Sequence, residues 1–271
     1  MIGVELSKLV RSRRTWVTVG VIDALPVLVA VLLSLTDVAP RPGTGPAFLS
    51  AVLNDGSLYP LAAMAMVLPL FLPAAVAVTA GDAIAGEAQQ GTLRYLLVRP
   101  VGRTRLLVAK LVSVMAFVLL TLLVVAATSF VLGLLLLGHG DSAVATTTFS
   151  GTTLSNSQLV GRTGLALAYA LLSMLGVASV ALFLSTMVRS PLAAAMGTLA
   201  LLIGSSLLLT LDAAHALRPY LVTRYWLSFV DLFRDPILWH DVLHGVLLQV
   251  GYVVVFLAAA WANFVTKDVT D

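Results

Sequence analysis

LLVAKLVSVMAFVLLTLLVVAATSFVLGLLLL, residues Leu106 to Leu137, is an apolar run of 32 residues carrying one charge, Lys110. A helix rises about 1.5 Å per residue and a bilayer interior takes about 20 apolar residues, so this run spans a membrane and must tilt or protrude. Hydrocarbon offers the backbone no water, and a continuous apolar run satisfies its own amide groups only as a helix.

Five further runs of that kind follow on either side: Trp16 to Leu35, Leu58 to Ala80, Leu165 to Val188, Leu192 to Leu211 and Val242 to Val265. Of the 271 residues 59% are hydrophobic and 11% charged, against about 25% charged in a soluble domain. The expected fold is an all-α polytopic membrane protein with six transmembrane helices, built as a single transmembrane domain over residues 1–271 without linker or repeat. The first run is too long for a signal-peptide core and reads as a retained span.

Six spans put both termini on one side. The segments on that side hold Lys8, Arg11, Arg13, Arg14, Arg94, Arg99, Arg103, Arg105, Lys110, Arg189 and Lys267; the other side holds Arg41, Arg162, Arg218, Arg224 and Arg234. The positive-inside rule then places both termini in the cytoplasm. Three lysines against thirteen arginines, with abundant Ala, Val, Leu and Gly, point to a GC-rich bacterial genome and hence to the bacterial cytoplasmic membrane. The net charge of +3 sits in short segments beside apolar runs, not in a stripe with interleaved aromatics, which argues against a nucleic-acid partner. With no cysteine, disulfides and thiolate metal sites are excluded.

The pieces between spans differ in character. In residues 1–15, Ile2, Leu6, Leu9 and Val10 recur at helical spacing with Lys8, Arg11 and Arg14 elsewhere on the wheel, as in a helix lying on a lipid surface. Residues 138–162 read as an irregular extracytoplasmic loop rich in Gly, Ser and Thr. Within 212–241, Trp226, Phe229, Val230 and Phe233 step by three and four, which predicts a short amphipathic helix at the outer interface between helices 5 and 6.

Between the second and third spans lies GDAIAGEAQQGTLRYLLVRPVGRTRLLVAK, Gly81 to Lys110. Asp82 can cap a helix, Gly91 interrupts the pattern, Leu93, Leu96 and Leu97 line one face of a short helix with Arg94 and Arg99 off it, and Pro100 stops it. A cytosolic helix apolar on one side and basic on another suits docking into a groove of another protein. A positive-inside loop alone would not call for Gly-Thr-Leu followed by an amphipathic turn and proline.

This string resembles the permease family of ATP-binding cassette type 2 exporters. The residues that carry the likeness are Glu87, Gly91-Thr92-Leu93, Leu96-Leu97, Pro100, Arg103 and Lys110. The resemblance implies a non-catalytic permease subunit that pairs with a second permease copy or a sister permease and with separate ABC ATPase subunits, which bind ATP and Mg. The 81–105 segment would be the coupling helix, with Asp82, Glu87, Gly91, Thr92, Leu93, Leu96, Leu97, Pro100 and Arg103 in contact with or next to the motor. Consistent with this, the chain contains no G-x-x-x-x-G-K-[ST] phosphate loop and needs no cofactor of its own. A hydrophobic or amphipathic substrate leaving the cytoplasm by alternating access fits the apolar spans.

Other residues compete for a role. His240 and His244, four apart on one helix face, can bind zinc as in H-E-x-x-H, which makes an intramembrane zinc hydrolase the alternative function. Asp241 is one methylene shorter than the glutamate of that motif, and no third ligand is evident. Asp23 is the one acid inside a span; it either serves a pathway or pairs with a neighbouring helix, for instance with an N-terminal arginine. Pro69 and Pro73, with Pro60, interrupt the second span and make it a candidate pathway wall, and Phe233 is a candidate gate. Gln249 and Asn263 read as interhelical hydrogen-bonding groups. A non-transporting membrane scaffold is the third reading.

Overall fold

The structure, a computed structural model, describes residues 2–35, 56–91, 102–137, 146–147 and 153–266. Among these, eight α-helices follow one another: α1 Ile2–Arg11, α2 Arg13–Leu35, α3 Tyr59–Val67, α4 Phe71–Gln89, α5 Arg103–Leu136, α6 Asn156–Met187, α7 Pro191–Thr210 and α8 Trp239–Thr266. A two-rung antiparallel ladder, β1 Thr146–Thr147 with β2 Thr153–Leu154, forms no layer of its own. The all-α expectation therefore holds. Six helices, α2 and α4 to α8, are long and apolar enough to cross a membrane.

Helix α6 sits at the centre and packs on α4, α5, α7 and α8. Of its most apolar stretch 61% is buried, against 17% for α8 at the edge. Leu243, Leu247 and Val254 on α8, and Leu192, Met196 and Ile203 on α7, face outward. Such a coat is stable where the solvent is lipid. Inside, small residues let helices approach: a Cβ on Gly81 of α4 would lie 3.0 Å from the Ala195 nitrogen of α7.

The second span departs from the single helix expected over Leu58 to Ala80. It is two helices, α3 and α4, separated by a turn at Leu68–Leu70. Pro60 and Pro73 fall in the first turns of α3 and α4, where a missing N–H costs nothing because those donors have no intrahelical acceptor. Pro69 lies in the break itself. Helix α4 then runs past Ala80 to Gln89, so Asp82 sits within a helix and caps none. The segment read as 81–105 is correspondingly shorter: residues 81–89 belong to α4 and 103–105 to α5.

Helix α6 begins at Asn156, nine residues before the apolar run, which trims the 138–162 loop. Its polar first turns are held by a capping box: Ser155 Oγ accepts the Gln158 N–H at 3.4 Å and Gln158 Oε1 accepts the Ser155 N–H at 3.1 Å.

Between α7 and α8 the chain makes 3₁₀ turns at Asp212–Ala214, Arg218–Tyr220 and Ser228–Phe233, in place of the amphipathic α-helix expected. Trp226, Phe229 and Phe233 are buried in the end of the bundle and Val230 is half-buried, so these side chains are core, not interfacial anchors. Short turns leave carbonyls unpaired, and the spans supply donors for them. Tyr169 Oη of α6 donates to Tyr225 O at 2.7 Å, Gln249 Nε2 of α8 to Val222 O at 2.8 Å, and Tyr252 Oη of α8 to Tyr220 O at 3.0 Å. Asp231 pairs with Arg234 at 2.9 Å; burial pushes its carboxyl above the usual range while the guanidinium pulls it back.

Candidate functional site

Among the described residues, the end of the bundle that carries α1 holds a linked set of charges, Glu5, Lys8, Glu87 and Lys110. Helix α4 brings Glu87 there in its last turn and stops at Gly91, whose φ of 69° is the left-handed conformation that ends helices. The Gly91 N–H bonds Ala88 O at 3.2 Å and the Gln90 N–H bonds Gly86 O at 3.0 Å. Gly91→Ala is expected to destabilise the last turn of α4 by about 1 kcal/mol, seen as faster amide exchange over residues 86–91.

Opposite Glu87, Lys110 projects from the second turn of α5 and is only 6% exposed. Its ammonium pairs with Glu87 Oε1, and with Glu5 Oε1 of α1 at 3.2 Å. Glu5 also meets Lys8 at 3.5 Å. One buried cation thus ties three elements, α1, α4 and α5, at a point where a lysine without carboxylates would be costly.

Next to this network lies a cleft of about 720 Å³ between α1, α2, α4, α5 and α7. Asp82 and Arg14 line it, with Val17, Val78, Phe117 and Leu192 as apolar wall. Where α4 passes the cleft, Ser185 of α6 is docked on its backbone: its hydroxyl donates to Gly81 O at 2.7 Å and accepts the Ala85 N–H at 2.9 Å. A side chain engaging the helical ladder in this way fixes α4 to α6 just before the connecting segment.

Arg103 opens α5, where a positive charge opposes that helix's dipole; it turns instead to the last carbonyls of α8, bonding Phe264 O at 3.1 Å and Val265 O at 2.7 Å. Trp261 Nε1 of α8 donates to Thr104 Oγ1 at 2.9 Å in the same corner. The end of α4 is thereby fixed to α6 and the start of α5 to α8.

Of the residues singled out from sequence, Glu87, Gly91 and Arg103 flank this connection and Asp82 faces the cleft. Thr92, Leu93, Leu96, Leu97 and Pro100 lie outside the described residues. Asp23 faces a neighbouring helix, and its partner is Thr128 Oγ1 of α5 at 2.7 Å instead of an N-terminal arginine. Phe233 is buried at the opposite end, and Asn263 Nδ2 of α8 meets Thr186 Oγ1 of α6 at 2.9 Å. His244 Nδ1 is bonded to its own helix, at His240 O, 2.7 Å away. Among the described residues no group of three His, Cys, Asp or Glu stands close enough to hold a metal ion, so the zinc reading gains no ligand set. Sequence reasoning missed Glu5 and Ser185. Glu5 carries only the weak signal of Lys8 one helical turn on, and Ser185 carries none.

The family model described as ABC-2 family transporter protein matches residues 1–206. A relative from Bacillus subtilis (strain 168), "Uncharacterized protein YhcI", is 25% identical over 202 residues, covering 72% of this chain. The match spans 63% of that relative's length, a little under two thirds. Six helices long and apolar enough to cross a membrane and a family match over the first three quarters of the sequence agree: the chain is a multi-pass membrane protein and belongs to the ABC-2 transporter family.

Proposed function

We propose that this chain is the permease half of an ATP-driven exporter, with the α1 end facing the bacterial cytoplasm and a separate ATPase docked on the segment between Gln89 and Arg103. The observation that carries the reading is the framing of that segment: Lys110 joins Glu87 and Glu5 on one side, and Arg103 joins the end of α8 on the other. A push on Leu93, Leu96 or Leu97 would reach α4, α5, α1 and α8 together. Glu87, Gly91, Thr92, Pro100 and Arg103 set the position of this lever, and Asp82 sits about two helical turns behind it. The break at Pro69 in the second span supplies a joint about which α4 can swing against α3, and Asp23 and Pro73 border that span pair. Two permeases, identical or sister, and two ATPases complete the assembly, and a hydrophobic or amphipathic substrate suits the apolar bundle.

The absence of cysteine makes the test direct. Single Leu93→Cys and Leu96→Cys variants, purified from native membranes, are expected to retain an ATPase subunit and to cross-link to it, while Leu227→Cys at the opposite end does not. Recovery of no ATPase, or cross-linking from Leu227→Cys alone, overturns the proposal.

A further inference from the structure

Two opposite charges line the cleft without a partner among the described residues: Arg14, at the start of α2, and Asp82, on α4. Lys8 adds a second cation, held at 3.5 Å by Glu5 with its side chain 65% exposed. Glu87 and Lys110, by contrast, are engaged with each other. Beside the open charges, Val17, Val78 and Leu192 are each more than half exposed. The cleft thus offers a cation, an anion and an apolar flank at the start of α2, a helix long and apolar enough to cross a membrane.

The chemistry of a guest follows from the charges it would meet. An anion would satisfy Arg14 and Lys8 but meet Asp82 as a like charge; a simple cation would have the reverse fault. A guest carrying phosphate and ammonium a few bonds apart satisfies both, and attached chains cover the valines and Leu192. The volume of about 720 Å³ falls in the range of small-ligand sites, enough for a headgroup and the first carbons of its chains.

We propose that this cleft binds one zwitterionic phospholipid with a primary amine, its phosphate on Arg14 and Lys8, its ammonium on Asp82, and its chains along Val17, Val78 and Leu192. The preference distinguishes it from general attraction of a basic amphipathic helix to anionic lipid, which favours net negative headgroups. It holds whether or not the ATPase reading does, because it concerns the permease alone.

The test is native mass spectrometry of the purified full-length chain titrated with phosphatidylethanolamine, phosphatidylglycerol or soluble glycerophosphoethanolamine. The wild type is expected to retain one phosphatidylethanolamine about tenfold more tightly than phosphatidylglycerol. Asp82→Asn removes that preference and Asp82→Glu keeps it; Arg14→Gln weakens both lipids about tenfold. Glycerophosphoethanolamine leaves the lipid bound. Thermal unfolding of each variant alongside separates loss of site from loss of fold, and Lys8→Gln, on the exposed face of α1, serves if Arg14→Gln does not fold. Equal or tighter binding of phosphatidylglycerol by the wild type overturns the proposal, as does an unchanged preference in Asp82→Asn. Displacement by the soluble headgroup at lipid-like concentration overturns it too, assigning the cleft to a small phosphoamine.

Discussion

Lys110→Met is expected to lower stability by about 3 kcal/mol and to release α1 from the bundle. The methionine keeps the volume of the lysine stem but leaves Glu5 and Glu87 facing each other with no cation between them, and breaking a buried pair from one side costs about 3 to 5 kcal/mol. For a chain of this length that is a fall in melting temperature of roughly 6 to 12 °C. Amide exchange over residues 2–11 should rise with it, since Glu5 is the polar tie of α1 to α5.

The ion network can be separated from simple packing by neutralising it altogether. Lys110→Met combined with Glu5→Gln and Glu87→Gln removes the carboxylates that had faced the lysine and is expected to regain most of the lost stability. Amide exchange over residues 2–11 should nevertheless stay raised, because no charge then ties α1 to α5. A single variant within 0.5 kcal/mol of wild type, or a triple variant no better than the single, would show that Lys110 does not join these helices as described.

Much of the architecture was legible because apolar length is a direct physical requirement of a membrane span; five of the six runs fall in single long helices, and the second is divided between α3 and α4. Helix ends were less legible, since a helix continues into polar sequence wherever its backbone is bonded and its terminus capped. Asn156 to Gly164 is helical although hydropathy stops at Leu165, and the Ser155 and Gln158 pair three apart was the available signal. Prolines mark where a ladder can break but not which of several does; Pro60 and Pro73 sit harmlessly in first turns, and Pro69 takes the break. In the outer segment, steps of three and four over residues 226–233 suit 3₁₀ turns as well as an α-helix, and burial of Phe229 and Phe233 depends on what the spans leave open.

The site was legible by residue type and not by contact. Glu87 and Lys110 stood out in the segment, yet their pairing requires α4 and α5 to run antiparallel, and the third member, Glu5, arrives from a helix that docks only in the folded chain. Arg103 stood out as a basic residue of the connecting segment, while its hydrogen bonds go to the last turn of α8, 161 and 162 residues on. Polar residues in such a protein are few, so the sequence says which ones matter; tertiary geometry says to whom.

Gly245→Val is expected to lower stability by about 3 kcal/mol and to detach the 3₁₀ segment from the far end of the bundle. A Cβ at Gly245 of α8 would fall on the Tyr169 hydroxyl of α6 and come within 2.9 Å of Tyr225 Cβ. Overpacking of this kind costs about 1 to 3 kcal/mol, and moving Tyr169 also strips Tyr225 O of its donor, about 1 to 3 kcal/mol for a buried carbonyl left bare. Tyr169→Phe takes away the hydrogen bond without adding volume and should cost about 1 kcal/mol. Gly251→Val, on the same helix where nothing lies within 4 Å, should stay within about 0.5 kcal/mol. Amide exchange over residues 212–236 should follow the same order, because Tyr169 and Gln249 together hold the carbonyls of that segment. If Gly245→Val and Gly251→Val behaved alike, α6 and α8 could not meet at Gly245, and the closure of the far end by Trp226, Phe229 and Phe233 would have to rest on other contacts.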